Sequence, residues 1–359
     1  MNDIWSAPIT ANILTGFLGS GKTSLLRRLL LQPDLSDTAV MINEFGEVGL
    51  DHLLIEAVDD DVVLLDSGCV CCTIRGDLKD ALLRLYARRQ RGEVPPFRRV
   101  IIETTGLADP APIVATFAAD LMLKHHFRVG NVVTVVDAEC GAANLDLYDE
   151  CRRQVAVADR LVVSKIDIAG GRKAAQLRLR LARINSTAEI VESSESDDAS
   201  AALLTHDTHD EATRLDEVRR WIAMSVSDEH KHDHDNGHDH ALDSRHGDIR
   251  AMLLSADEPL DWAAFGLWLS MLLNRHGASV LRIKGLINVV GREAPVVVQG
   301  VQHLIHKPVH LDRWPEDLPR TRLVLIVRGL DQKLIRRSFR AFMRLGTDAT
   351  SGQLLASSA

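Results

Sequence analysis

The most specific spacing in the chain lies at residues 16–23, where G-F-L-G-S-G-K-T matches the phosphate-loop pattern G-x-x-x-x-G-K-[ST]. An apolar run at 9–15 feeds the loop and helix-forming residues leave it, the context that such a loop requires. Gly16, Gly19, Ser20 and Gly21 let main-chain N–H groups curl around phosphate oxygens, and the following helix N-terminus adds positive potential. Lys22 is placed to neutralise the β- and γ-phosphates, and Thr23 to offer a hydroxyl to Mg²⁺. An acidic residue at the end of another strand should complete the metal site. Residues 98–103, R-R-V-I-I-E, followed by Thr104, Thr105 and Gly106, supply it in Glu103, directly or through a water. Gly106 lets the next loop approach the γ-phosphate, where its N–H can sense hydrolysis.

Residues 161–167, L-V-V-S-K-I-D, indicate the base. Guanine presents N1–H and an exocyclic amine side by side, and the Asp167 carboxylate can accept from both. Adenine offers no such pair, so the pattern favours GTP over ATP. Lys165 can lay its aliphatic stem along the purine, and Ser164 stands as a small anchor where Asn is usual.

A second set of residues is thiophilic. Cys69, Cys71 and Cys72 stand in S-G-C-V-C-C-T-I-R-G-D-L on a strand-to-helix connection, where three thiolates can form most of a shell for Zn²⁺ or a similar ion. Burial as small apolar thiols is the alternative. Upstream, M-I-N-E-F-G-E-V-G-L-D at 41–51 occupies the place of a first switch, and Glu44, Glu47 and Asp51 offer oxygen ligands. His230, His232, His234, His238 and His240 alternate with aspartates, with His246 beyond, a density suited to weak, multi-site metal capture or to a solvated linker. Cys140 and Cys151 have no partner pattern and read as structural, whereas His303, His306 and His310 read as lone surface or core histidines, with a place on the same metal path as the alternative.

Elements must hold these residues in place. Mostly continuous apolar runs at 9–15, 62–66, 99–103, 132–137 and 161–164, with a weaker one at 188–191, read as parallel strands buried on both faces. Helical stretches at 23–31, 78–88 and 174–184 lie between them, giving an α/β, doubly wound P-loop domain with a mainly parallel sheet. One more helix at 211–224 closes this domain at 1–225, and 226–248 reads as a flexible His/Asp-rich linker. Strands at 249–254, 280–290 and 323–327, with helices at 261–275 and 333–342, predict a smaller α+β C-terminal domain at 249–346. A disordered tail at 347–359 is expected to follow.

At 359 residues with a formal net charge of -8, the chain lacks the basic balance of a nucleic-acid binder. It has no apolar run of membrane-spanning length and no signal-like start, so no membrane association is expected and the cytoplasm is the expected location. An odd five cysteines in such a chain fit metal or redox chemistry better than a disulfide framework.

GFLGSGKT, NEFGEVGLD, SGCVCCTIRGDL, ETTGLADP and SKID, in this order, resemble the CobW-like GTPases, and VLRIKGLINV, GVQHLIHKPV, RWP and LVLIVRGLD resemble the family's C-terminal domain. The resemblance covers nearly all of the chain except the His-rich insert and the tail. It implies a metallochaperone or metalloenzyme activator with GTP, Mg²⁺ and Zn²⁺ or Co²⁺. Cys69, Cys71 and Cys72 would hold the transition metal with help from Glu44, and Glu103 would belong to an E-x-x-G switch. The client would be a metalloprotein, and the chain a monomer or a nucleotide- or metal-dependent dimer. GTP would favour the metal-competent shape and hydrolysis would release the ion. Leu107 stands where a water-orienting Gln would follow Gly106, so slow intrinsic turnover is expected. A metal buffer with a passive nucleotide and a P-loop small-molecule kinase are the rival readings.

Overall fold

The computed structural model describes residues 7–43, 64–66, 74–193, 201–207, 213–232, 249–315 and 319–356. Two units emerge, one of Met1–Ala182 with Ala188–Asp207 and one of Arg183–Thr187 with Thr208–Ala359.

The first unit runs through β1 (Ile9–Gly16), α1 (Lys22–Leu30), β2 (Thr38–Asn43), β3 (Leu64–Asp66), α2 (Ile74–Gln90) and β4 (Arg99–Thr104). It continues with α3 (Ala111–Ala119), α4 (Leu121–His126), β5 (Phe127–Asp137), α5 (Gly141–Leu147), α6 (Asp149–Val157) and β6 (Arg160–Ser164). Then come α7 (Ile166–Ala169), α8 (Gly171–Ile184), β7 (Glu189–Glu192) and α9 (Ala202–Thr205). Among the described residues the strands form one seven-stranded sheet in the order β3-β2-β4-β1-β5-β6-β7, with every pair parallel. Every residue of β1 is buried, as a central strand covered on both faces must be.

β4 and β5 flank β1, so the chain crosses over β1 between them and opens a crevice at the carboxyl ends of these strands. Leu25, Leu26 and Leu29 of α1 pack on Leu14, Ile101 and Val133 of the sheet, fixing the helix that leaves the phosphate loop. The spacing of these leucines keeps them on one face of the helix.

The second unit contains α10 (Arg214–His232), β8 (Ile249–Ala256), α11 (Trp262–His276), β9 (Val280–Ile287), β10 (Val296–Val301) and β11 (Leu304–Ile305). β12 (Val309–His310), β13 (Thr321–Arg328) and α12 (Gln332–Ala356) complete it. The sheet is antiparallel, ordered β11-β10-β9-β13-β8 with β12 paired to β10. Strand alternation sends Ile287, Val298, Leu323 and Leu325 to one face, where Phe265 and Trp268 of α11 and Phe339 of α12 cover them. Leu286 and Val297 point to the other face, which Val218, Trp221 and Ile222 of α10 cover with Leu311.

That packing corrects the domain boundary. The helix expected to close the nucleotide domain at residue 225 groups with the C-terminal unit instead, because its apolar face is buried on that unit's sheet. It also runs to His232, so the linker does not begin at 226. S-D-E-H-K-H contains no Gly or Pro to stop a helix already nucleated. Likewise α12 reaches Ala356 where a disordered tail from 347 was expected. A single Gly costs a helix only about 1 kcal/mol, and Gly346 does not end this one. Residues 38–43 form a strand absent from those expected, so the segment expected to start a switch at Met41 begins inside β2.

Candidate functional site

The strand ends gather the predicted residues at one edge of the parallel sheet. Register pairs Leu14 of β1 with Glu103 of β4, Gly16 with Val135 of β5, and Asp137 of β5 with Ser164 of β6. The phosphate loop, the E-x-x-G segment and the S-K-x-D segment therefore leave neighbouring strands on the same side.

Gly16 shows why the loop needs its first glycine. Its φ is +142°, and a Cβ there would lie 2.3 Å from the Val135 carbonyl oxygen. The Lys22 ammonium reaches back across the loop and donates to the carbonyls of Gly16 at 3.0 Å and Phe17 at 3.3 Å. Ser164 Oγ donates to the Ser20 carbonyl at 2.6 Å, which ties β6 to the loop. The short Ser therefore serves as an anchor at the position where Asn is usual.

Thr23 Oγ1 donates to Glu103 Oε1 at 2.6 Å. Glu103 is only 5% exposed at the end of β4. A hydroxyl and a buried carboxylate held together are hard oxygen donors of the kind Mg²⁺ takes, so these residues fit the ion that accompanies a nucleoside triphosphate. Thr104 Oγ1 lies 2.8 Å from Thr15 Oγ1, linking the two strand ends behind this pair.

Gly106 lies against the phosphate loop itself. A Cβ on it would come within 2.6 Å of the Leu18 backbone nitrogen. Only glycine allows that approach. Residues 105–108 form a tight turn closed by Ala108 N–H donating to the Thr105 carbonyl at 3.1 Å.

Lys165 has a left-handed backbone, φ 57°, which costs a lysine about 1 kcal/mol. Its ammonium donates to the Gly19 carbonyl and to Asp137 Oδ2, both at 2.7 Å. Asp137 Oδ1 meanwhile accepts from the N–H groups of Glu139 at 2.7 Å and Cys140 at 3.3 Å. Asp167 lies in the short α7 with its carboxylate exposed, and makes no hydrogen bond to another described residue.

Two site residues escaped the sequence reading. Asp137 was counted as the last residue of a strand, although an acid at a strand's carboxyl end is itself a signal. Gln154 lies in Q-V-A-V-A-D, where a polar residue on the buried face of an otherwise apolar segment was the clue. Gln154 Nε2 donates to the carbonyls of Gly106 at 3.1 Å and Ala108 at 3.0 Å. A small cavity behind the phosphate loop is lined by Ser20, Thr134, Asp137, Cys151 and Gln154 among others. Burial pushes the Cys151 thiol up to about 12, the nearby Glu150 adding to the effect and Arg152 opposing it. The side chain is thus an apolar filler at neutral pH, as its structural assignment implies. Cys140 is exposed.

Cys69, Cys71, Cys72, Glu44, Glu47 and Asp51 lie outside the described residues, as do His234, His238, His240 and His246. His230 and His232 fall in the last turn of α10, and their side chains are also outside the description. Among the described residues no group of three or more His, Cys, Asp or Glu side chains forms a metal site. In the second unit His303 Nδ1 lies 3.1 Å from the Leu273 carbonyl and His310 Nδ1 lies 3.5 Å from an Arg292 nitrogen, each a local contact. No helix among the described residues is long and apolar enough to cross a membrane.

Known proteins resemble this chain along almost its full length. The family model of the CobW/HypB/UreG nucleotide-binding domain matches residues 10–192, and that of the cobalamin synthesis protein CobW C-terminal domain matches residues 249–343. The zinc chaperone YjiA of Escherichia coli (strain K12) is 32% identical over 334 residues, covering 92% of this chain and 98% of that protein. The zinc chaperone CobW of a Sinorhizobium species is 30% identical over 368 residues, covering 93% and 97%. The crystal structure of Zn(II)-bound YjiA GTPase from E. coli superposes with a TM-score of 0.67 at 30% identity, covering 94% of this chain and 99% of that one. With both domain models matched in order and relatives aligned end to end, the chain belongs to the CobW/HypB/UreG family.

Proposed function

We propose that this chain is a GTP-hydrolysing metallochaperone that takes up a transition metal, zinc first and cobalt second, at Cys69, Cys71 and Cys72 and passes it to a client metalloprotein. The observation that carries the reading is the joining of Thr23 to Glu103 beneath a phosphate loop, in a chain aligned end to end with relatives named zinc chaperones.

The residues divide the work. Main-chain N–H groups of 16–23 and the Lys22 ammonium would bind the β- and γ-phosphates. Ser164 and Lys165 brace the loop through Ser20 and Gly19, and Asp167 would accept from the guanine edge. Mg²⁺, held by Thr23 and Glu103, would neutralise charge building on the phosphates. Gly106, packed against Leu18 of the phosphate loop, would face the end of the phosphate chain, so its loop would register whether a γ-phosphate is there. No Gln follows Gly106 to orient water, which supports slow turnover in the absence of a client or cargo metal. Glu44 would assist the three thiolates in binding the cargo ion, and the His-rich segment at 230–240 would capture metal weakly.

Lys22→Ala tests the reading against a buffer with a passive nucleotide. A GTP-driven chaperone loses both hydrolysis and metal transfer to an apo-client in this variant. Retention of transfer by a hydrolysis-dead Lys22→Ala protein would contradict it. A product assay with labelled γ-phosphate separates transfer to water from the small-molecule kinase reading.

A further inference from the structure

Gln154 is 1% exposed, on α6, and its side chain is committed to one task. Both of its carboxamide N–H groups have carbonyl acceptors in the turn that follows Glu103, one at Gly106 and one at Ala108. Its own main-chain carbonyl accepts from Thr134 Oγ1 of β5 at 2.9 Å, so the helix carrying it is fastened to the sheet. The neighbouring Arg153 reaches Asp109, the residue just after this turn, at 3.4 Å. On the opposite side, Gly106 abuts the Leu18 backbone of the phosphate loop. The turn is thus held between the phosphate loop and α6.

We infer that Gln154 is the positioning residue of the γ-phosphate loop, holding the 106–107 and 108–109 peptides so that Gly106 meets the terminal phosphate without reorganisation. This rests on the reading of the chain as a GTPase whose Gly106 faces the γ-phosphate. A carboxamide suits the task because it donates two N–H bonds in one plane, which no hydroxyl or carboxylate can do. Pre-oriented dipoles at the site of charge development lower the barrier because they need not reorganise during reaction. GDP lacks the phosphate that the turn meets, so the effect of Gln154 belongs to GTP alone.

The test uses the full chain and compares wild type with Gln154→Leu, which keeps the volume but removes both donors, and Gln154→Glu, which sets a carboxylate against two carbonyls. Single-turnover GTP hydrolysis is measured with the affinities for GDP and for a slowly hydrolysed GTP analogue, and with Tm. About ten-fold loss in hydrolysis rate and in analogue affinity is expected for Gln154→Leu, more for Gln154→Glu, with GDP affinity held within about two-fold. Unchanged hydrolysis and analogue affinity in folded Gln154→Leu overturns the inference. So does an equal fall for both nucleotides accompanied by a lower Tm, the signature of a purely structural role. Gly106→Ala separates the underlying reading. If its extra methyl leaves the ratio of GTP-analogue to GDP affinity at the wild-type value, the γ-phosphate reading of Gly106 fails and takes the inference with it.

Discussion

Asp137→Asn perturbs a single interaction in the nucleotide site. The Asn side chain keeps an oxygen to accept from Glu139 and Cys140, so the turn after β5 stays capped. The other atom becomes an amide NH₂, a donor facing the Lys165 ammonium, in place of the carboxylate oxygen now 2.7 Å away. A charge-assisted hydrogen bond contributes about 1.5–3 kcal/mol. The Asp137 side chain is 9% exposed but that of Lys165 is 35% exposed, so solvent screening puts the loss at the low end of that range. About 1.5 kcal/mol corresponds to roughly ten-fold in affinity if Lys165 must be held to meet the purine. The assay is titration of a fluorescent GDP with wild type, Asp137→Asn, Lys165→Met and the double variant. About ten-fold weakening is expected in Asp137→Asn, with little further loss when it is added to Lys165→Met. Equal weakening in both backgrounds refutes the reasoning, because Asp137 would then act independently of Lys165.

Other outcomes follow from burial. Trp221→Ala should destabilise the C-terminal unit by about 3–5 kcal/mol, because Trp221 is 3% exposed against Leu286, Val297 and Leu311. Denaturant unfolding checks this, and a loss confined to a transition that nucleotide raises would contradict the assignment of α10 to that unit. The Cys151 thiol, pushed up to about 12 from an ordinary 9.0, should resist alkylation in the folded protein at neutral and mildly alkaline pH, as followed by peptide mass spectrometry. The sign of its linkage is definite. The folded pKa lies above the unfolded one, so its contribution to stability is intact below 9.0 and is lost as pH rises toward about 12.

Most of the parallel sheet was legible in the sequence because strands buried on both faces appear as mostly continuous apolar runs, as β1, β4 and β6 do. β2 escaped because its T-A-V-M-I-N merges with a glycine-punctuated acidic stretch. The boundary between the units was misread for a physical reason. The periodicity of α10 shows that Val218, Trp221 and Ile222 share a buried face, but periodicity does not name the surface that buries it. The phosphate loop, Glu103 and Ser164 were readable because local chain chemistry dictates them. Asp137 and Gln154 were not, since their roles depend on partners at Lys165 and Gly106 that only the closed sheet brings near.

The proposed chaperone cycle requires nucleotide state and metal affinity to be coupled, and linkage makes that measurable at equilibrium. The decisive measurement is Zn²⁺ affinity of the full chain, by competition with a chelating indicator, in the presence of GDP–Mg²⁺ and of a slowly hydrolysed GTP analogue with Mg²⁺. Tighter binding with the analogue is expected, with the difference abolished in the Cys69→Ser, Cys71→Ser, Cys72→Ser variant. Equal affinities in the two nucleotide states would contradict it.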